Sequence, residues 1–387
     1  VEQPGFDRVY RSGLTHKLPV LIPTGLLYDT PDNAAAELRW LASRGDAVQG
    51  VELGEEPDGQ EVTPEDYGAL YVQWAKALRQ VDPHVMLGGP SFQTNIYSWQ
   101  TWPNAHGDRS WMHRFVSYLH RRGYLSDFQF FSLEWYPFDN ICGPTALQLA
   151  LEPMLLENSL ARLHREGLPQ RLPIFISEYG YSAFAGEPEV DLPGALLNAD
   201  IVGQFLTLGG ATAYLYGLEP NSLIQENDCN SWGNLAVFLS DAGRHITYTL
   251  PAFYGAQMLT RDWAQATGDG MHDVYRASSD VHNRGGQPLV TAYAVHRPDG
   301  AWAVLLLNKD PHTAHAVRLR FRDMRTGVVS TWTGPVTLTQ YGPSQYQWRA
   351  HGVQGHPTRD APPTVRQISG ATVTLPPYSL SVVRGNR

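Results

Sequence analysis

The chain has 387 residues, enough for two domains or for one large barrel with an accessory module. Apolar residues make up 42% and charged residues 17%, which supports a sizeable buried core, and the net charge of −9 with lysine only at Lys17, Lys76 and Lys309 leaves no basic stripe for nucleic acid. No run approaches the ~18 uninterrupted apolar residues of a membrane-spanning helix.

Residues 18–24, Leu-Pro-Val-Leu-Ile-Pro-Thr, read as the first clear strand. A helix is expected over 31–44 and a strand over 48–54. The next helix opens at Thr63-Pro-Glu-Asp66, where Thr63 caps, Pro64 takes the first helical position and acids follow. Its apolar face, Tyr67, Leu70, Tyr71, Trp74 and Leu78, recurs at helical spacing and reads as core rather than a ligand site. Strands follow at 85–89, 127–135, 173–178 and 211–216. Helices alternate with them at 110–122, 147–166 and 192–208, and a last helix covers 249–262. This alternation predicts a parallel α/β arrangement. It supplies six strand–helix units, two short of a closed (β/α)8 TIM barrel, and an open barrel leaves two unpaired edges. The first two units are expected either from roughly 100 residues ahead of Val1 in a precursor or from another chain. Residues 1–17 read as the tail of the second unit. The chain starts on Val1 without a visible signal peptide, so either one was removed or the chain begins inside a longer precursor.

From about residue 285 the texture changes. Residues 289–296, 301–308, 316–321, 336–340 and 371–383 alternate in twos between turn signals, as an antiparallel β-sandwich does. The most linker-like stretch is 277–287, and 352–363 reads as a mobile loop. The expected division is a catalytic barrel over 1–270, lacking its first units, and an accessory β-sandwich over 271–387.

Two glutamates carry the functional reading. Glu56 lies in Val51-Glu-Leu-Gly-Glu-Glu-Pro-Asp-Gly59 and Glu178 in Pro173-Ile-Phe-Ile-Ser-Glu-Tyr-Gly-Tyr181. Each follows a short apolar run that ends in a Gly- or Pro-bearing turn, which is how a parallel strand presents a carboxylate at its C-terminal mouth. Two such carboxyls across one cleft are the equipment for breaking a glycosidic bond. The chain also carries 11 Trp and 19 Tyr, rings of the kind on which pyranose faces stack. Trp135 and Trp232 are stacking candidates, Tyr179 and Tyr181 flank the second glutamate, and Asp228 and Asn234 are candidates for sugar hydroxyls. Gly88-Gly-Pro-Ser91 allows close backbone approach but is not a phosphate loop, since no Lys-Ser/Thr follows. His16, His84 and His106 do not cluster with acids at metal-ligand spacing, so neither a catalytic metal nor a cofactor is expected. Cys142 and Cys229 form no metal pattern; they pair as one disulfide or stand as two buried thiols. A secreted or periplasmic location is the first reading and a cytoplasmic one the alternative.

Four stretches resemble the clan A retaining glycoside hydrolases, similar in style to families 39 and 79 and also 51 and 30. Glu52-Leu-Gly-Glu-Glu-Pro-Asp58 resembles the Gly-Asn-Glu-Pro motif that ends the fourth strand. Ser132-Leu-Glu-Trp-Tyr-Pro137 resembles the sixth-strand motif, Ile176-Ser-Glu-Tyr-Gly180 the seventh, and Ala371-Thr-Val-Thr-Leu-Pro-Pro-Tyr-Ser-Leu-Ser-Val-Val383 the closing strand of the accessory sandwich. The resemblance implies an O-glycosidase acting by retention on an oligosaccharide or glycoside. Glu56 would be the acid/base, Glu178 the nucleophile, and Tyr136 its hydrogen-bond partner. It also offers a precedent, in two-chain members of family 79, for a separate N-terminal fragment that completes the barrel. Two departures stand out: Glu55 replaces the usual Asn and Glu134 the usual His. The cleft is therefore expected to crowd Glu55, Glu56, Glu134 and Glu178, raising some of their pKa values. A carboxylate at 55 can only accept where an Asn would donate. A non-hydrolytic carbohydrate-binding barrel is the alternative reading. A uronic-acid specialist would want basic residues near these acids, and Arg109 and Arg114 follow the third strand.

Overall fold

The computed structural model describes residues 5–93, 100–265, 270–332 and 334–386; the first four residues of the 1–17 stretch lie outside these. In order, the first part of the chain forms α1 (Phe6–Arg11), β1 (Val20–Thr24), α2 (Pro31–Arg44), β2 (Val48–Leu53), α3 (Pro64–Val81), β3 (Leu87–Phe92), α4 (Trp111–Arg122), β4 (Phe130–Trp135), α5 (Thr145–Arg165), β5 (Ile174–Tyr179), α6 (Glu187–Val190), α7 (Leu192–Thr207) and β6 (Thr212–Leu215). The remainder forms β7 (Phe238–Ser240), β8 (Ile246–Thr249), α8 (Pro251–Gln257), β9 (Asp273–Tyr275), β10 (Val290–His296), β11 (Trp302–Asn308), β12 (His315–Arg318), β13 (Phe321–Arg322), β14 (Val329–Ser330), β15 (Pro335–Tyr341), β16 (Tyr346–Arg349), β17 (His356–Asp360), β18 (Thr364–Ser369), β19 (Thr372–Leu375) and β20 (Ser379–Gly385). The chain divides into two compact units. The first holds the residues up to Trp135, Asn158–Glu178 and Gly210–Ala213; the second holds Tyr136–Glu157, Tyr179–Gly209 and the residues from Tyr214 onward.

The first unit is organised on a sheet of strand order β1-β2-β3-β4-β5-β6, with the β1–β2, β2–β3 and β3–β4 pairs parallel. All six residues of β3 and of β4 are buried, the signature of a parallel strand covered on both faces. The helices start where their caps are written. Thr30, Thr63 and Ser110 each accept a backbone N–H three residues on, from Asn33, Asp66 and His113. On α3 the residues Tyr67, Tyr71, Trp74 and Leu78 are buried, as the 3.6-residue period requires. Leu70 sits at the margin of that stripe and is half-buried. Strand ends differ from the sequence reading: β3 runs on through Ser91 to Phe92, and β4 starts only after a 3-10 turn at Leu125–Asp127.

The second unit carries an antiparallel sheet of order β18-β15-β20-β11-β10-β9 and four two-stranded pairs, β12–β19, β13–β14, β16–β17 and β7–β8. Val290, Val304, Leu306, Val336, Leu338 and Val383 of the large sheet pack with Val373 and Leu375 of β19 in one buried cluster. The stretch expected as a single strand over 371–383 is two strands in different sheets. Pro376-Pro377 has no amide N–H to donate, and Tyr378 turns the chain at φ +40°. Part of the expected loop at 352–363 is β17, paired to β16. The helix expected over 249–262 begins at Pro251 and passes into π geometry over Met258–Trp263. Helix α7 is fastened to β10 and β11 by a fully buried group. Asp200 accepts from Thr291 Oγ1 and Tyr293 OH, both at 2.6 Å, and from Lys309 Nζ at 2.8 Å. Cys142 and Cys229, left open by the sequence, form a disulfide within this unit.

Candidate active site

The site in the first unit grows from the ends of β2, β3, β4 and β5. Strand β2 buries Glu52 and Leu53 and then turns at Gly54, whose φ of +95° suits glycine; a Cβ there would also meet the Tyr67 ring at 3.2 Å. Glu56 follows with φ +46°, a left-handed conformation that costs a non-glycine residue of order 1 kcal/mol. Three backbone hydrogen bonds hold it there. Its N–H donates to Ser91 O at 2.8 Å, and its carbonyl accepts from Gly59 and Gln60 at 3.0 and 3.2 Å. The strained residue is thus clamped to the end of β3, which fixes the backbone that carries its side chain.

Beneath this turn lies a layer of hydroxyls. Ser91 and Ser177 share a hydrogen bond between their Oγ atoms at 2.9 Å, Ser91 N–H donates to Ser132 Oγ at 2.9 Å, and Ser177 Oγ donates to Leu133 O at 3.2 Å. Glu52, only 7% exposed, rests on this layer with hydrogen bonds to Ser132 and Ser177, while its Oε1 finds no partner. Burial, and then the Glu178 and Glu55 charges, push its carboxyl up to about 7 against the pull of the two serines.

Around it the structure brings together all four acids that the sequence assigns to the cleft. One carboxylate oxygen from each of Glu55, Glu134 and Glu178 lies within 4.8 Å of the others, and Glu134 is hydrogen-bonded to Glu56. Glu55 is exposed, Glu56 and Glu178 are half-buried, and Glu134 is 4% exposed. Burial raises the Glu134 carboxyl most. The Glu178 and Glu56 charges, the bond to Glu56 and the Glu55 charge add to it, taking it up to about 10. The Asp58 carboxyl, against the Gln93 amide at 3.1 Å, rises to about 7 through burial and the Glu56 charge. Three oxygens at the Glu55–Glu134–Glu178 spacing could also hold a divalent cation.

The remaining sequence candidates sit elsewhere. Trp135 is fully buried, on the strand face opposite Ser132 and Glu134 by alternation, so it packs the unit and has no free face for a sugar ring. Arg114 forks onto Glu65 and also donates to Trp102 O, which commits it to the α3–α4 contact. In the second unit, Tyr136, Tyr179, Tyr181, Glu189, Asn198 and Tyr216 line a small recess of about 20 Å³. Gly180 allows this packing, since a Cβ there would lie 3.0 Å from the Tyr136 ring. Tyr181 is buried and donates to Gln148 Oε1 at 2.7 Å. Trp232 is half-buried against Val190, Leu223, Leu239 and Leu250, its Nε1 donating to Asn230 Oδ1. Asn234 is not free for sugar hydroxyls: its amide donates to Asn221 O and Ser222 O and accepts from Ala236 N–H. Sequence reasoning assigned no role to Ser91, Ser132, Ser177 or Asp58. The signal for Ser132 was its period-2 spacing from Glu134 on one buried strand.

No protein-family model matches the chain, and no curated protein matches it in sequence. Its fold is shared with solved glycoside hydrolase structures. A family 51 arabinofuranosidase from Xanthomonas axonopodis pv. citri aligns with TM-score 0.64 at 14% identity, over 98% of this chain and 78% of that one. A family 44 xyloglucanase from Paenibacillus polymyxa aligns with TM-score 0.63 at 14% identity, over 91% and 70%. A family 51 alpha-L-arabinofuranosidase from Bifidobacterium longum aligns with TM-score 0.64 at 14% identity, over 98% and 78%. Family 51 is one of the four that the motifs resemble, and family 44 is not. At these identities the likeness establishes the fold.

Proposed function

We propose that the chain is a retaining O-glycosidase, with residues 1–270 as its catalytic (β/α)8-type barrel and 271–387 as an accessory β-sandwich. The observation that carries the reading is the convergence of Glu56, Glu134 and Glu178 in one cluster at the ends of three strands. Glu178 attacks the anomeric carbon and forms a glycosyl ester as the bond to the leaving oxygen breaks. Glu56 gives its proton to that oxygen. Water then loses a proton to Glu56 and attacks the anomeric carbon, breaking its bond to the Glu178 oxygen and freeing the carboxylate. Glu55, an exposed acceptor, takes a hydrogen bond from a sugar hydroxyl. Trp232, half-buried, is the second unit's candidate for a sugar contact. The disulfide supports a secreted or periplasmic location.

The test is a screen of aryl glycosides, arabinofuranosides and xyloglucan oligosaccharides among them, with wild type beside Glu178→Ala. Release by wild type alone supports the assignment and identifies the glycone. Sugar binding without turnover would point instead to a non-hydrolytic carbohydrate-binding barrel.

A further inference from the structure

A sugar ring is held by two kinds of surface: polar groups for its hydroxyls and an open aromatic face for its C–H groups. The acids at the ends of β2, β4 and β5 supply the first, and the buried Trp135 does not supply the second. Among the described residues of the first unit, three large aromatic side chains are exposed: Tyr28, Trp40 and Trp102. Trp40 lies on α2 beside the Arg44 guanidinium, and the Trp102 carbonyl accepts from Arg114 of α4. Tyr28, on the loop that leaves β1, is tied instead to the turn that carries the acids. It is 80% exposed, and its hydroxyl donates to Gln60 Oε1. Gln60 Nε2 donates in turn to Glu55 O at 3.1 Å, and Gln60 N–H to Glu56 O at 3.2 Å.

The loop itself is fixed. Leu26 is 1% exposed, and a Cβ on Gly54 would lie 3.6 Å from its Cβ, so it packs against the turn that leads into Glu55. The N–H groups of Tyr28 and Asp29 donate to Gly25 O at 2.8 and 2.7 Å, and the Asp29 carboxylate accepts from Thr30 N–H and Asn33 Nδ2 at the start of α2. A lone exposed ring is ordinary on a protein surface. A ring held by its backbone and at its tip, yet left in water, has given up rotamer freedom without gaining burial, which is entropy that a ligand stacking on it need not lose again.

We propose that Tyr28 is a sugar-stacking platform beside the acid cluster, and that the substrate is a pyranose oligosaccharide long enough to reach from the bond that breaks to this ring. The unit it takes carries equatorial hydroxyls, as gluco- and xylo-configured sugars do, because such a ring presents a face of C–H groups. Tyr28 meets the turn through Gln60 and the Glu55 backbone and not through a carboxyl, so it binds substrate and transition state alike. Its effect on turnover rests on the glycosidase reading; its effect on sugar binding does not.

The experiment measures kcat and KM on cello- and xylo-oligosaccharides from disaccharide to hexasaccharide, for wild type, Tyr28→Ala and Tyr28→Phe. The kcat/KM of Tyr28→Ala relative to wild type should drop by about tenfold at the chain length that first reaches the ring, in KM far more than in kcat. Tyr28→Phe keeps the ring and loses only the tether, so it should stay within about threefold of wild type. A relative kcat/KM that does not change with chain length overturns the platform. If it stays near that of wild type, the ring touches no sugar; if it is uniformly low, Tyr28 acts only by holding the Glu55 turn. Phe as impaired as Ala overturns it too, since the hydroxyl would then carry the effect. Calorimetric titration of the same sugars into Glu178→Ala, with and without Tyr28→Ala, reads the platform without turnover, and the longer chains should bind about tenfold more weakly once the ring is gone. If wild type cleaves no glycoside while that difference in binding stands, the glycosidase reading fails and the platform survives. If none of the chains binds, the platform is overturned.

Discussion

Replacing Glu52 by Gln should make the protein more resistant to unfolding at alkaline pH and leave it nearly unchanged at acid pH. In the unfolded chain this carboxyl titrates near 4.5; in the folded one burial and the Glu178 and Glu55 charges take it to about 7. Between those values the folded state holds a proton that the unfolded state has released. Stability therefore falls as pH rises through this window, and the loss is complete above about 7. A shift of about 2.5 units corresponds to roughly 3 kcal/mol. Gln is neutral throughout and escapes that loss, while any fixed effect of its amide on Ser132 and Ser177 is the same at both pH values. Urea unfolding of wild type and Glu52→Gln at about pH 4 and about pH 8 should thus give a stability difference that grows by about 3 kcal/mol in favour of the variant. Asp58 and Glu134 titrate alike in both proteins and cancel. A difference that stays flat to within about 1 kcal/mol would refute the argument that this buried carboxyl holds a proton in the fold.

Glu178→Gln should lower kcat by about four orders of magnitude with little change in stability, read on the glycoside chosen by the screen. Lys309→Met leaves Asp200 buried without its cation and should cost about 3–5 kcal/mol in urea unfolding, part of it recovered by adding Asp200→Asn. Opening the Cys142–Cys229 bridge with a Cys142→Ala, Cys229→Ala double variant releases a loop with a sequence separation of 87. Chain entropy puts its contribution at about 4.5 kcal/mol, read as a drop in the unfolding midpoint.

Much of this protein is written in local pattern. The caps at Thr30, Thr63 and Ser110 and the apolar stripe of α3 depend on neighbours within a turn or two, so the sequence alone determines where those helices run. The placement of Glu56 and Glu178 after apolar runs is local as well, which is why both could be singled out before any fold was known. Strand ends were less legible. The break at Pro376-Pro377 reads as a pause in an alternating pattern, and only the pairing partners of β19 and β20 reveal that the chain changes sheets there. The serine layer under Glu52 joins residues 91, 132 and 177, which no spacing rule connects. Crowding of the four glutamates could be expected from the motifs, but that Glu134 is pushed up so far depends on its depth and on charges at the ends of two other strands. The pairing of Cys142 with Cys229 is equally non-local. Tertiary structure decided these points because solvation and Coulomb energy depend on distance in space, not on distance along the chain.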